Sequence, residues 1–203
     1  MPQDNYAIMF EQARQLFLTY DQSSIVAKTP LSFDDETLYL PVLAQTVTIC
    51  RADGTIRWPS GETLAPHDAL TIYDYLCDAK PDRTLSGQFR PLTGFGHMFH
   101  TGLVEQSAPT PLELAIDQTP EAFRSACEAL GGKPCPKGDI GYTLPLFPDL
   151  PVLLQFYHSD EDFPPQLRTF WDLNTLSWLR YETMHYAQGL ILKRLSELMK
   201  LHN

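Results

Sequence analysis

The alternation of apolar and polar residues divides the chain into helical and extended stretches. Over residues 4–20, Tyr6, Phe10, Ala13 and Phe17 recur at helical spacing and Met9 and Leu16 widen the stripe, while Glu11, Gln12, Arg14 and Gln15 form the other face. Asp4 or Asn5 offers the side-chain oxygen that an N-cap requires. A second, short helix is predicted over residues 23–28, ended by Thr29-Pro30. From Thr37 the period changes to that of strands, at residues 38–40 and 45–50. Ala52-Asp53-Gly54-Thr55 then reads as a hairpin turn, because Asp-Gly tolerates the positive φ angles of a tight turn. Residues 55–58 form the returning strand of a hairpin or three-strand meander. Helical spacing resumes over residues 66–79, with Leu70, Tyr73, Leu76 and Cys77 on one side and His67, Asp68 and Asp74 elsewhere. Pro66 suits a first turn, where its missing N–H costs nothing.

Residues 80–102 are rich in Gly, Pro and Thr, with a short strand at 87–90. Two proline-initiated helices follow at 111–116 and 120–130, the second closed by Gly131-Gly132. Apolar runs at 140–146 and 152–157 predict an antiparallel hairpin, with Pro145 and Pro151 near strand ends or on a sheet edge. The longest helical pattern covers residues 175–200, with Asp172 or Asn174 as its cap and Lys193, Arg194 and Lys200 toward its carbonyl end. Leu176, Leu179, Thr183, Ala187, Leu190, Ile191 and Leu198 make one apolar face, and Trp178, Tyr181, Leu192 and Leu195 extend it, which predicts a central, heavily covered helix. The order of elements lacks strict β-α-β alternation. It predicts one α+β domain over residues 1–203, with a mainly antiparallel sheet of about five strands against the long C-terminal helix and several shorter ones.

Composition narrows the picture. At 203 residues the chain can bury roughly 70% of its unfolded surface and needs no staples. Its net charge of −10 argues against a nucleic-acid partner, which would call for cations to displace phosphate counterions. Cys50, Cys77, Cys127 and Cys135 form no Cys-x-x-Cys pair, so they read as ordinary thiols and not as a zinc or iron–sulfur ligand set. No apolar run approaches the ~20 residues of a membrane span and no secretory leader is evident, so a cytoplasmic location without membrane attachment is expected.

Candidate chemistry concentrates near the C-terminus. His158, Asp160, Glu161 and Asp162 form an acidic turn read as a strand-to-helix junction, with Pro164-Pro165 in the helix's first turn. Such groups can ligate a divalent metal or do acid–base work, and equally can cap a helix. Glu182 and His185 share a Glu-x-x-His spacing, one turn apart; a di-iron bundle needs two such motifs and two further glutamates, so a paired, inward-facing Glu182 is expected instead. His97-Met98-Phe99-His100 offers two imidazoles and a thioether to haem or another metal. Gly94-Phe95-Gly96 lacks the third glycine of a dinucleotide fingerprint, and the Walker, nucleophile-elbow and His-Glu-x-x-His motifs are missing from the sequence.

Gly138-Asp139, the prolines at 145, 148 and 151, Asp160-x-x-Phe163-Pro164, Phe170-x-Asp172 and Glu182 together resemble an uncharacterised prokaryotic family, domain of unknown function 3786. The resemblance covers most of the chain from Tyr39 onward. Some members of that family are joined to iron–sulfur domains, which implies a link to iron–sulfur or corrinoid metabolism, with any cluster carried by a redox partner protein. The resemblance carries no reaction with it.

The sequence therefore points first to a ligand- or cofactor-binding accessory protein, for a metal, corrinoid, flavin, haem or other small molecule. Its expected site joins Asp160, Asp162, Asp172, Glu182 and His185, with His97 and His100 as the second choice. The alternatives are a metal-assisted or acid–base enzyme using these carboxylates and His185, and a scaffold subunit that pairs with another protein.

Overall fold

The computed structural model of the chain describes residues 5–95 and 108–201. Among the described residues, two antiparallel sheets and six α-helices carry the architecture, an α+β arrangement. Helices α1 (Asn5–Thr19) and α2 (Gln22–Lys28) lead into a four-stranded meander of β1 (Ser32–Phe33), β2 (Thr37–Val42), β3 (Gln45–Cys50) and β4 (Ile56–Arg57). Asp21 caps α2 by accepting from the Ser23 N–H. The predicted Asp-Gly turn joins β3 to β4: Gly54 adopts φ +77°, Asp53 accepts from the Thr55 N–H, and the buried Tyr73 hydroxyl donates to the Gly54 carbonyl at 2.7 Å.

Helix α3 (Pro66–Asp78) follows, then β5 (Phe89–Pro91), α4 (Pro111–Gln118), α5 (Pro120–Ala129), β6 (Lys133–Cys135), β7 (Ile140–Phe147), β8 (Leu150–Tyr157), β9 (Gln166–Asp172) and α6 (Tyr181–Leu198). The second sheet has the order β5-β9-β8-β7-β6. Its β7–β8 hairpin is the one the apolar runs predict, and Pro145 faces Pro151 next to the turn, where neither interrupts the ladder to β6 or β9. The β2–β3 turn ties the sheets together: buried Leu43 donates its N–H toward the Pro145 and Leu146 carbonyls of β7.

Three predictions need correction. Residues 166–172 form strand β9, so the acidic turn lies between two strands and caps no helix. The terminal helix starts at Tyr181; residues 175–177 make a separate 3-10 turn, and neither Asp172 nor Asn174 caps α6. The predicted C-terminal apolar face is buried at Leu179, Thr183, Ala187, Leu190, Ile191 and Leu195, but its ends, Leu176 and Leu198, are exposed, and α3 is buried without interruption from Asp68 to Cys77. Burial takes in Asp68 and Asp74, which need partners there. Lys193 of α6 reaches Asp68 at 3.1 Å and Arg180 reaches Asp74 at 2.6 Å. All four cysteines are free thiols, and burial pushes the Cys77 thiol up to about 12.

Candidate functional site

The chain between the 3-10 turn and α6 is fixed by a residue 106 positions earlier. Asp74 accepts from the Arg180 backbone N–H at 2.9 Å through one carboxylate oxygen and from its guanidinium Nε at 2.6 Å through the other. An uncapped helix start has free N–H groups and a positive dipole end, and the α3 carboxylate serves both. Asp78, one turn further along α3, approaches the same Nε at 3.0 Å. Burial and then the hydrogen bond with Asp74 push the Asp78 carboxyl up. Desolvation opposes the Arg180 cation, but Asp74, followed by Asp78 and Glu182, outweighs it and raises its pKa above the ordinary value.

This junction forms one wall of a cleft of about 300 Å³ between α1, α3 and α6. Met9, Ala13 and Leu16 of α1 face Leu70 of α3 across an apolar floor. Arg180, Glu182 and Tyr186 supply the polar side, together with Gln12. Met9 and Leu16 stay 39% and 42% exposed, although burying such side chains releases about 1.5–3 kcal/mol each. Tyr186 continues into a ring cluster with Tyr6 and His67, whose centroids lie 4.3–6.3 Å apart.

Of the described residues that the sequence singles out for a site, only Glu182 lines this cleft. It is exposed and makes no hydrogen bond or ion pair with any described residue, so the inward-facing, paired glutamate is corrected. His185 is exposed and rests edge-on against Tyr181 at 5.1 Å. Asp172 is fully buried and spent on structure: it accepts from Ser86 N and Oγ, Gly87 N and Asn174 N, all at 2.8–3.0 Å. Asp160 folds its own turn by accepting from Asp162 N and Phe163 N. Asp162 is exposed on that turn. With β9 between them, at about 3.3 Å per residue, the Asp160 turn and Asp172 lie roughly 20 Å apart, so the expected cluster does not assemble. His97 and His100 lie outside the described residues. Among the described residues, no group of three or more His, Cys, Asp or Glu side chains is placed to hold a metal ion.

A different pairing occupies the acidic turn. Asp117 of α4 meets His158 Nδ1 at 2.7 Å and accepts from the Ser159 hydroxyl at 2.6 Å, while Asp139 accepts from the His158 N–H. Because Ser159 bonds the carboxylate and not the imidazole, this is no nucleophilic triad; it fastens the β8–β9 loop to α4. The Ser159 hydroxyl first, and then His158, hold the Asp117 carboxyl below its ordinary value of 3.8. A lowered folded pKa contributes stability that is fully present above the ordinary value and is lost as pH falls through the folded one. The stability gap between the wild type and Asp117→Asn is therefore expected to narrow below about pH 3.8 in urea titrations, and a constant gap would contradict the clasp.

The described residues thus define an α+β protein with two antiparallel sheets and a three-helix cleft. The chain belongs to the family described as domain of unknown function (DUF3786), whose model matches residues 21–194. No curated protein and no solved structure matches it. The matched segment includes Leu70, Arg180, Glu182, Thr183 and Tyr186 of the cleft and Asp74 and Asp78 that hold Arg180, whereas α1 precedes it. Among the described residues, no helix is long and apolar enough to cross a membrane.

Proposed function

We propose that the chain is an accessory protein that binds a small molecule in the cleft between α1, α3 and α6. The observation that carries this reading is the pair of exposed apolar side chains, Met9 and Leu16, set along a cleft whose other side is polar. An apolar floor with a few placed polar groups is the usual composition of a ligand site, and about 300 Å³ lies at the small end of the range for such sites. Arg180 does not act as a free cation here, because Asp74 and Asp78 already hold its Nε edge. Among the described residues, no nucleophile–base pair lines the cleft, which favours binding over turnover. The partner proposed with this role is a redox protein that would carry any cluster itself, since among the described residues no group of three or more His, Cys, Asp or Glu side chains is placed to hold a metal.

Gln12 is exposed on the rim, so Gln12→Trp is expected to fill the cleft without disturbing the core. Saturation-transfer NMR with short-chain alcohols and amines is expected to detect binding to the wild type and at least about ten-fold weaker binding to that variant, the loss of roughly 1.4 kcal/mol or more. Equal binding to both proteins would place the ligand elsewhere.

A further inference from the structure

The charge around the cleft selects among ligands, and this inference rests on the cleft being the binding site. Arg180 is the cation on the lining, with the carboxylates of Asp74 and Asp78 at 2.6 and 3.0 Å from its Nε. Glu182, two residues on, adds a third carboxylate that has no hydrogen-bond or ion-pair partner among the described residues. Lys193 does not alter the balance, because Asp68 accepts from it at 3.1 Å. Arg14 on α1 is likewise committed, to Glu11 and to the Asp53 carbonyl. Three carboxylates thus surround one guanidinium on a chain of net charge −10, so the local field attracts cations and repels anions. The N-terminal end of α6 offers an anion little compensation, since Asp74 already accepts from the Arg180 N–H and Glu182 already sits in the first turn. Tyr186 lines the cleft beside Glu182, and an aromatic face favours an ammonium group over a neutral one.

We infer that the cleft takes an organic amine: an ammonium group against Glu182 and Tyr186, with an apolar chain laid along Met9, Leu16 and Leu70. Charge on the ligand and length of its chain are then read by different walls. Hexylamine, hexanol and hexanoate share a chain and differ in the head group, which separates the two contributions.

Calorimetric titration at low salt is expected to give hexylamine at least about ten-fold tighter than hexanol, with hexanoate weakest, as charge complementarity requires. Glu182→Gln is expected to remove the advantage of the amine over the alcohol and to leave hexanol within about two-fold of the wild type, and raising salt is expected to weaken the amine alone. Glu182 is exposed, so this variant keeps the fold, which a thermal melt checks. Equal affinity for hexylamine and hexanol, or tighter binding of hexanoate, overturns the amine inference and leaves the cleft as a ligand site. Failure of all three compounds to bind overturns both.

Discussion

Asp172→Ala is expected to destabilise the protein by about 3 kcal/mol, seen as a lower urea midpoint at unchanged slope. The carboxylate is fully buried at the end of β9 and receives four donors. Three are backbone N–H groups of Ser86, Gly87 and Asn174, so its loss strands main-chain donors as well as a side chain. Ser86 and Gly87 lie at the surface, and water can reach part of what is lost, which keeps the cost below the sum of four charged bonds. Asp172→Asn keeps one accepting oxygen and turns an amide N–H₂ toward donors, so about half the cost is expected there. Exchange of the β5 amides is expected to quicken most, since Phe89 pairs with Asp172 and Leu173 donates to the Gln88 carbonyl. A loss under about 1 kcal/mol would show that these donors find other partners.

Gly138→Ala is the second large effect, about 3 kcal/mol. Gly138 adopts φ +64°, which costs a side-chain-bearing residue roughly 1–2 kcal/mol. An added Cβ would also lie 2.8 Å from the Phe156 carbonyl oxygen, a backbone atom of β8 that cannot swing away. Gly61 provides the control: its φ is +87°, yet nothing lies within 4 Å of the added Cβ. Gly61→Ala should therefore show the backbone cost alone, and the difference between the variants measures the clash. Equal destabilisation would mean that β8 yields to the methyl group. The role of Gly138-Asp139 is thus structural, because Asp139 also donates its N–H to the Phe156 carbonyl and accepts from the His158 N–H.

Where local pattern and local chemistry agree, the fold is legible from the chain. The Pro66, Pro111 and Pro120 helix starts, the Asp53-Gly54 turn and the β7–β8 hairpin each announce themselves within a dozen residues. Strand β9 does not, because its buried positions carry polar Thr169 and Asp172, Phe170-Trp171 interrupts the alternation, and the preceding Pro164-Pro165 mimics a helix start. Its pairing comes from β8 and from β5, the latter more than seventy residues away in sequence. The start of α6 was equally hidden. Its apolar spacing runs back to Thr175, but Asp74 catches the Arg180 N–H and sets the boundary from another helix.

The site shows the same division. Glu182 is visible as an ionisable residue on the longest helix, yet its exposure and its lack of a hydrogen-bond or ion-pair partner among the described residues are tertiary facts. Asp74 and Asp78 lie one turn apart on α3, the kind of spacing that signals a shared partner, but the apolar stripe beside them reads as the helix's only buried face. Asp117 and His158 are 41 residues apart, and no local pattern joins them. Acidic residues near one another in sequence are therefore a poor guide here: Asp160 and Asp172 each serve the backbone around them.

The most direct measurement is an amide chemical-shift map of the isotope-labelled protein titrated with hexylamine. Shifts are expected to gather at Ala13, Leu70, Glu182, Thr183 and Tyr186, around the three-helix cleft, and to saturate with a single affinity. Shifts that gather instead on the His158–Phe163 loop, or that spread over the surface without saturating, would contradict a ligand site between α1, α3 and α6.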